Sequence, residues 1–374
     1  MNFSALSKIP SGSIVTKIVP LNAIPIQWDV AWQALATSAS EPNPFAECWF
    51  MRPAIRHLNA QPTDRLISVW RDDMLLGLMP VTLAKRYGRM PVRHIENWLH
   101  YHSFMGVPLV RAEYERIFWN AALNLLDDAD WAPNFIHIVG LDPSGTVYAG
   151  LESTRRTDIV HRSERALLKS ILTPQAYYET NVRPKKRKEI RRLRSRLDEM
   201  GHVAFDKLAS TDSSDPWIND FLKLEASGWK GREGSALNGD PATKAFFKDA
   251  ISGAHHADKV EMLRLTLDGK PIAMLVNFIT SPGAYAFKIA FDEEYARFSP
   301  GVLIKIENLK TLDRSEIDWT DSCAVEDHPM INSLWAERRD IVRVTVPLTG
   351  ARRKAVFHAA RGIETLRAHL RGRQ

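Results

Sequence analysis

Residues 284–312 read AYAFKIAFDEEYARFSPGVLIKIENLKTL, a strand that passes through a charged turn into a helix. Ser299 reads as the N-cap, and Pro300 suits the first helical position, where its missing N–H would be unpaired anyway. Val302, Ile306 and Leu309 give the helix a core face. A strand that ends on a helix N-terminus offers free N–H groups and partial positive charge, and Arg297 stands close by. This is a seat for an anion such as a pyrophosphate. The plainer alternative is an ordinary strand-to-helix connection.

On the downstream side follow a strand in EIDWTDS (316–322), a helix in HPMINSLWAERR (328–339) and a last strand, IVRVTVPL (341–348). Upstream, VEMLRLTL, the turn Asp268-Gly269 and PIAMLVNFI form a hairpin. HVAFDKL is a strand, and two helices flank the glycine-rich stretch LEASGWKGREGSAL (224–237). That stretch is not a nucleotide phosphate loop: Lys230 precedes Gly231, no Ser or Thr follows it, and the preceding segment is helical.

The first half follows the same plan. It has a strand near Ile14–Val19, a helix over about 27–37, the loop SEPNPFAECWF, the hairpin RLISVW…LLGLMPVTLA, the helix RAEYERIFWNAALNLL and the strand FIHIVGL. The hairpins align without a gap: Leu76, Gly77, Leu78 and Met79 lie over Ile272, Ala273, Met274 and Leu275. The chain therefore reads as two copies of one α/β unit, joined between about Tyr148 and Ser163.

The 374 residues are 45% hydrophobic and 25% charged, as in a soluble globular protein. No apolar run reaches the roughly 18 residues of a membrane helix, and no signal-peptide pattern opens the sequence. Two cysteines make no disulfide framework, so the reading is cytoplasmic. The net charge of +6 is uneven: positions 183–196 carry nine Lys or Arg against one Glu, and 351–374 seven against one, which leaves the body at −8.

The segments LEASGWKGREGSAL, FKIAFDEEYARFSPGVLI and DSCAVEDHPMINSLWAERR resemble motifs of the CelD/BcsL-type acetyltransferases of the GNAT superfamily, linked to bacterial cellulose biosynthesis and related to FemAB-like proteins. The resemblance spans roughly 28–346. It implies an α/β (α+β) fold of tandem GNAT-like units with mixed, mostly antiparallel sheets: 1–155, then an acyltransferase unit at 156–350, then a basic C-terminal helix at 351–374. It further implies acyl transfer, with acetyl expected, from acetyl-CoA (acyl-CoA) as co-substrate to an amine or hydroxyl acceptor. The acceptor would be a small molecule or saccharide in exopolysaccharide, cellulose or envelope biosynthesis. The donor would lie where Tyr285–Phe291 and Ile317–Ser322 splay apart, with its phosphates at Arg297, Ser299, Gly301 and Val302. The loop RFSPGV departs from the family's Q/R-x-x-G-x-G/A, and Pro300 removes one donor.

Candidate acid–base groups are Glu225, Asp321 and His328, each with a structural alternative: a helix-end acid, a turn acid and a hydrogen-bonding histidine. Trp229, Lys230, Glu233 and Lys288 are candidate acceptor contacts, the first three on a loop suited to act as a lid. No metal is expected, since Asp321, Cys323, Asp327 and His328 lack ligand spacing, and a Cys323–His328 nucleophile is disfavoured. The basic helix RPKKRKEIRRLRSR suits an anionic substrate or membrane surface better than nucleic acid, because no aromatic is interleaved to stack a base. Two further readings are a non-catalytic module of a polysaccharide-synthesis assembly and a tRNA- or nucleic-acid-associated FemAB-like protein.

Overall fold

Beginning at Ile14, the chain lays down one series of elements twice. The structure, a computed structural model, describes residues 12–58, 60–228, 233–234 and 236–371. The first series is β1 (Ile14–Pro20), α1 (Asp29–Thr37), α2 (Cys48–His57), β2 (Arg65–Arg71), β3 (Met74–Ala84), β4 (His94–Asn97), the short β5 (Leu109–Val110), α3 (Glu115–Asp128), β6 (Phe135–Leu141), α4 (Thr146–Thr154) and β7 (Asp158–Leu168). Helices α5 (Pro174–Asn181) and α6 (Pro184–Asp198) lead into the second. It comprises β8 (Val203–Lys207), α7 (Asp215–Ser227), α8 (Pro241–His256), β9 (Val260–Leu267), β10 (Lys270–Thr280), β11 (Gly283–Phe291), α9 (Pro300–Glu307), β12 (Trp319–Asp321), α10 (Pro329–Asn332) and β13 (Glu337–Pro347). Helix α11 (Ala351–Arg371) closes the described chain.

The two central hairpins match in detail. In β2–β3, Val69 pairs with Gly77 and Trp70 with Leu75, which leaves Leu76 as an extra residue. In β9–β10, Leu265 pairs with Ala273 and Thr266 with Pro271, which leaves Ile272. These bulges fall at the positions that the gap-free alignment superimposes, and the aligned turn residues Asp72 and Asp268 have φ of 53° and 50°. A bulge and its register are inherited as a unit, so the match supports duplication.

All strands join one mixed, mostly antiparallel sheet in the order β1-β2-β3-β4-β6-β13-β7-β12-β11-β10-β9-β8, with β5 on β3. Its centre is an exchange of strands. β7 ends the first series but pairs with β12 of the second, and β13 ends the second but pairs with β6 of the first. The exchanged strands run antiparallel side by side, and the equivalent helices α2 and α8 pack together, as a pseudo-twofold axis between β7 and β13 requires.

One apolar core runs through both series. Phe45 lies edge-on to Phe50 and Phe104 of the first unit and to Phe278 and Tyr285 of the second. Buried Glu47 accepts from Lys259 Nζ (2.7 and 2.8 Å) and Thr280 Oγ1 (2.8 Å) across the same boundary.

Several local expectations change. The stretch read as the loop SEPNPFAECWF holds a 3-10 turn at Pro44–Ala46, capped by the Asn43 side chain, and the start of α2. Residues 158–163, read as part of the join, belong to a full strand, Asp158–Leu168, at the sheet's centre. EIDWTDS contributes only Trp319–Asp321, and the helix expected in 328–339 is four residues long.

Candidate functional site

Strands β11 and β12 run parallel for three residues, with Gly283 opposite Trp319 and Tyr285 opposite Asp321, and then part. β11 continues to Phe291, whereas the other chain turns toward β7, Ser322 N–H donating to Ala166 and Cys323 taking φ 52°. The gap lies against the start of α9. A Cβ built on buried Gly301 would meet Phe291 at 3.5 Å, Ile289 at 3.8 Å and Met330 Sδ at 3.9 Å, so this turn faces the end of β11 and α10.

The helix start differs from a simple capped N-terminus. Ser299 adopts a left-handed conformation (φ 52°, ψ 53°), and its hydroxyl makes no cap bond, because that backbone turns Oγ away from the first-turn N–H groups. The Ser299 carbonyl instead accepts from Val302 (2.9 Å) and Leu303 (3.1 Å). The N–H of Gly301 is the first-turn donor with no acceptor among the described residues. Arg297 is exposed and reaches Met200 Sδ at 3.7 Å, on the outer side of this turn.

The elements that border the gap carry polar atoms without hydrogen-bond partners among the described residues. Thr320 Oγ1 on β12, His328 Nδ1 just before α10, Asn332 Oδ1 on α10 and Trp335 Nε1 after it are enclosed and make no hydrogen bond among the described residues. Such orphans are rare in native interiors and mark seats for water or ligand. One turn beyond Gly301, Lys305 is 5% exposed with its Nζ over the Trp335 ring at 5.4 Å. Burial lowers its pKa to about 8, and no carboxylate lies within ion-pair distance among the described residues.

On the other face of β11, a bulge redirects a side chain. Val276 pairs with Lys288 and Asn277 with Ala286, so Phe287 is the extra residue. Strand alternation would send Phe287 and Lys288 to opposite faces, whereas the bulge lets both point toward the first unit. There Lys288 Nζ lies 3.2 Å from His102 Nδ1 and close to the rings of Tyr101, Phe104 and Phe287. His102 stacks on Phe246 with an interplanar angle of 11°, and neighbouring His100 stacks on Phe50. The first unit's wall of this cleft comes from WLHYHSF (98–104). Its density of aromatic and histidine residues is the sequence signal that would have pointed to it.

The remaining expected site residues are spread out. Asp321 is fully buried and paired: Oδ1 accepts from Cys323 N–H (2.7 Å) and lies 3.7 Å from Arg165, and Oδ2 lies 3.4 Å from Arg339. Arg339 also holds Asp142 at 2.8 Å and stacks over Trp319. A carboxylate clamped by two guanidiniums is a structural hub at the strand exchange, with no open side for a substrate proton. Glu225 is 4% exposed and accepts from Leu237 N–H at 2.9 Å, tying the end of α7 to the segment before α8. Glu233 is exposed, and Trp229 and Lys230 lie outside the described residues.

The first unit's equivalent gap is closed. β4 and β6 pair in parallel at Ile95–Ile136 and Glu96–His137. Beyond that pair, Asn97 accepts from Val139 N–H (2.9 Å) and donates to Val139 O (2.9 Å), which stitches the strands together. Gly106 fills the space so tightly that a Cβ there would lie 1.8 Å from Val139 O. Only the second unit keeps its strands apart.

Burial of ionisable groups near these gaps predicts a pH response. Burial lowers His100 to about 3 and His137 to about 4, so between pH 6.5 and 4 the unfolded chain binds protons that the folded one refuses. Stability therefore falls as pH drops through that window. Glu41 opposes them: burial, outweighing its bond from Val147 N–H, raises it to about 7, so its contribution is present below 4.5 and lost as pH rises toward 7. With two protons against one, stability should rise with pH between about 5 and 6. Urea unfolding should show a steeper rise in Glu41→Gln and a flatter one in His100→Phe.

Residues 184–325 match the family model described as an acetyltransferase (GNAT) domain. FemX shares 10% identity with a TM-score of 0.57 over 84% of this chain and 95% of its own. The C-terminal domain (DUF2156) assigned to a lysylphosphatidylglycerol synthetase of Agrobacterium fabrum shares 12% with a TM-score of 0.53, over 89% and 95%. A conserved protein of unknown function from Bacteroides thetaiotaomicron shares 12% with a TM-score of 0.52, over 89% and 100%. No curated protein matches the sequence. The chain has a mixed, mostly antiparallel α/β fold of GNAT type, with its series of elements laid down twice. Among the described residues no cluster of His, Cys, Asp or Glu could hold a metal ion, and no helix is long and apolar enough to cross a membrane.

Proposed function

We propose that the second unit is catalytic and moves an acyl group, acetyl being the simplest, from coenzyme A to an amine or hydroxyl held between the units. The observation that carries this reading is the β11–β12 gap, open in the second unit and stitched shut in the first, with polar atoms on its bordering elements that lack partners among the described residues. Thr320, Trp335, His328 and Asn332 suit the amide-bearing arm of the donor, and the Gly301 N–H a phosphate oxygen. The acceptor gives a proton to solvent water and attacks the thioester carbonyl carbon. The displaced electron pair rests on oxygen beside the β11 bulge until the C–S bond breaks, and the thiolate then takes a proton. Lys288 presents positive charge on the acceptor side. Of the acid–base groups expected, His328 keeps an enclosed, unpaired Nδ1 on the gap wall, so it is assigned proton transfer at the thiolate.

An envelope acceptor is supported by the fold neighbours FemX and the lysylphosphatidylglycerol synthetase domain. A cellulose or exopolysaccharide acceptor rests on the CelD/BcsL-type motifs, and action in the cytoplasm on the cysteine content. Calorimetric titration with acetyl-CoA and longer acyl-CoAs tests the donor. Binding should survive Gly301→Ala, whose added carbon finds ordinary contacts, and should vanish in Gly301→Asp, which brings a carboxylate to the phosphate seat. If the folded wild type binds no acyl-CoA, the coenzyme A donor is excluded.

One observation favours a second donor class. With Pro300 lacking an N–H and Val302 bonded to Ser299, the turn offers a phosphate fewer donors than several converging N–H groups would. A donor activated as an ester rather than as coenzyme A fits that economy. Transfer from an aminoacyl ester with no acyl-CoA binding would establish it.

A further inference from the structure

A groove of the second unit lies on the far flank of α9, between that helix and the α5–α6 pair, with a volume of about 680 Å³. Its apolar lining includes Ile190, Phe205, Leu303 and Ile306, and Arg191 and Arg194 stand on its α6 wall. Arg191 has no charged partner among the described residues, and Arg194 shares one carboxylate, Asp198, at 2.9 Å. The groove's Glu307 is already paired with Lys310.

Two further observations fall beside it. Immediately before the lining residues Thr173 and Pro174, Ile171 is 105% exposed and Leu172 37%. A protruding apolar pair at a loop tip is costly in water and suits insertion into an apolar phase. Along α6, Arg183, Lys185, Lys188, Arg192 and Arg196 are exposed, and Arg194 is the only one of the nine cations at 183–196 to meet a carboxylate within 4 Å among the described residues. A solvated helix face would explain the cations alone. It would not explain why two of them, Arg191 and Arg194, line an apolar groove whose rim at Thr173 continues into an exposed apolar tip.

We propose that this face docks on an anionic glycerophospholipid surface. The Ile171–Leu172 tip enters beneath the headgroups, α6 lies among them, and the groove takes one acyl chain whose phosphate rests at Arg191 and Arg194. Membrane-surface cations act additively with an inserted apolar side chain, and neither alone gives firm attachment. The docking stands apart from the acyl-transfer reading, because vesicle binding needs no donor.

Co-sedimentation of the full chain with vesicles tests the surface. Vesicles with about 30% phosphatidylglycerol should bind at least tenfold more tightly than pure phosphatidylcholine, and less tightly as salt rises. Ile171→Glu with Leu172→Glu, shown folded by circular dichroism, should weaken this binding roughly tenfold to a hundredfold. Arg191→Gln with Arg194→Gln should remove much of the preference for the anionic lipid. Equal binding to both vesicles, or no effect of the tip variant, overturns the proposal. The groove is tested with monomeric dihexanoyl-phosphatidylglycerol against inorganic phosphate. The short lipid should bind more tightly and be lost in Ile306→Trp, whereas equal binding of free phosphate would show that no lipid chain is recognised.

Discussion

Lys288→Met should lower turnover about 100-fold or more, with little change in the folding midpoint. Methionine keeps the length and apolar stem, so contacts with Phe104 and Phe287 persist, and what disappears is a positive charge beside His102. Charge aimed at developing negative charge in a water-poor cleft acts mainly in the transition state, so the loss should fall on kcat more than on KM. A rise in acceptor KM at constant kcat would instead make Lys288 a binding residue. Activity within a few-fold of wild type would remove it from the chemistry. Lys288→Arg separates charge from shape: partial recovery follows if the charge matters, and none if the ammonium must fit against His102 Nδ1.

The second large effect concerns stability. Arg339→Met should cost about 3–5 kcal/mol, because it strands the buried carboxylate of Asp321 and removes the partner of Asp142. The nearby Arg165, at 3.7 Å, is too long a contact to replace it fully. Adding Asp321→Asn to Arg339→Met should recover part of the loss, since it removes the stranded charge and keeps an acceptor for Cys323 N–H. Denaturant unfolding of the four proteins of this cycle measures the coupling. Strict additivity would show that the two side chains do not act as a pair. Where the two are coupled, reduced activity in Asp321→Asn is a consequence of loosened strands rather than of a missing base.

The duplication was legible because a hairpin's register is written locally. The turn residues and the alternation around Leu76 and Ile272 carried it without any knowledge of partners. The exchange of β7 and β13 was not legible, because which strands become neighbours depends on long-range pairing that neither sequence expresses. β7 was further disguised by its composition: DIVHRSERALL keeps polar residues along much of its length, as a strand with a wet face does. At the candidate site, the strand–SPG–helix segment gave the position of the gap, but its chemistry lies elsewhere. Ser299 looked like a cap by residue type, yet its left-handed backbone denies its hydroxyl that role. Lys288 was found as a charge in a strand. His102, its neighbour, arrives from a segment nearly two hundred residues away, and no local rule joins them. Asp321 and Glu225 looked like free acids because sequence cannot show a clamp of two arginines or a bond from Leu237.

The exchanged strands also set an order of events during synthesis. The slot beside Phe135–Leu141 belongs to residues 337–347, so the first unit cannot complete its sheet when its own residues leave the ribosome. At a translation rate of about 5–20 residues per second, that edge waits roughly 10–40 s for its partner. During this interval it is a bare template for pairing with another chain. A fragment that stops after β7 should therefore be poorly soluble, and the protein's yield in a cell should depend on how quickly the roughly two hundred residues between the two strands are made.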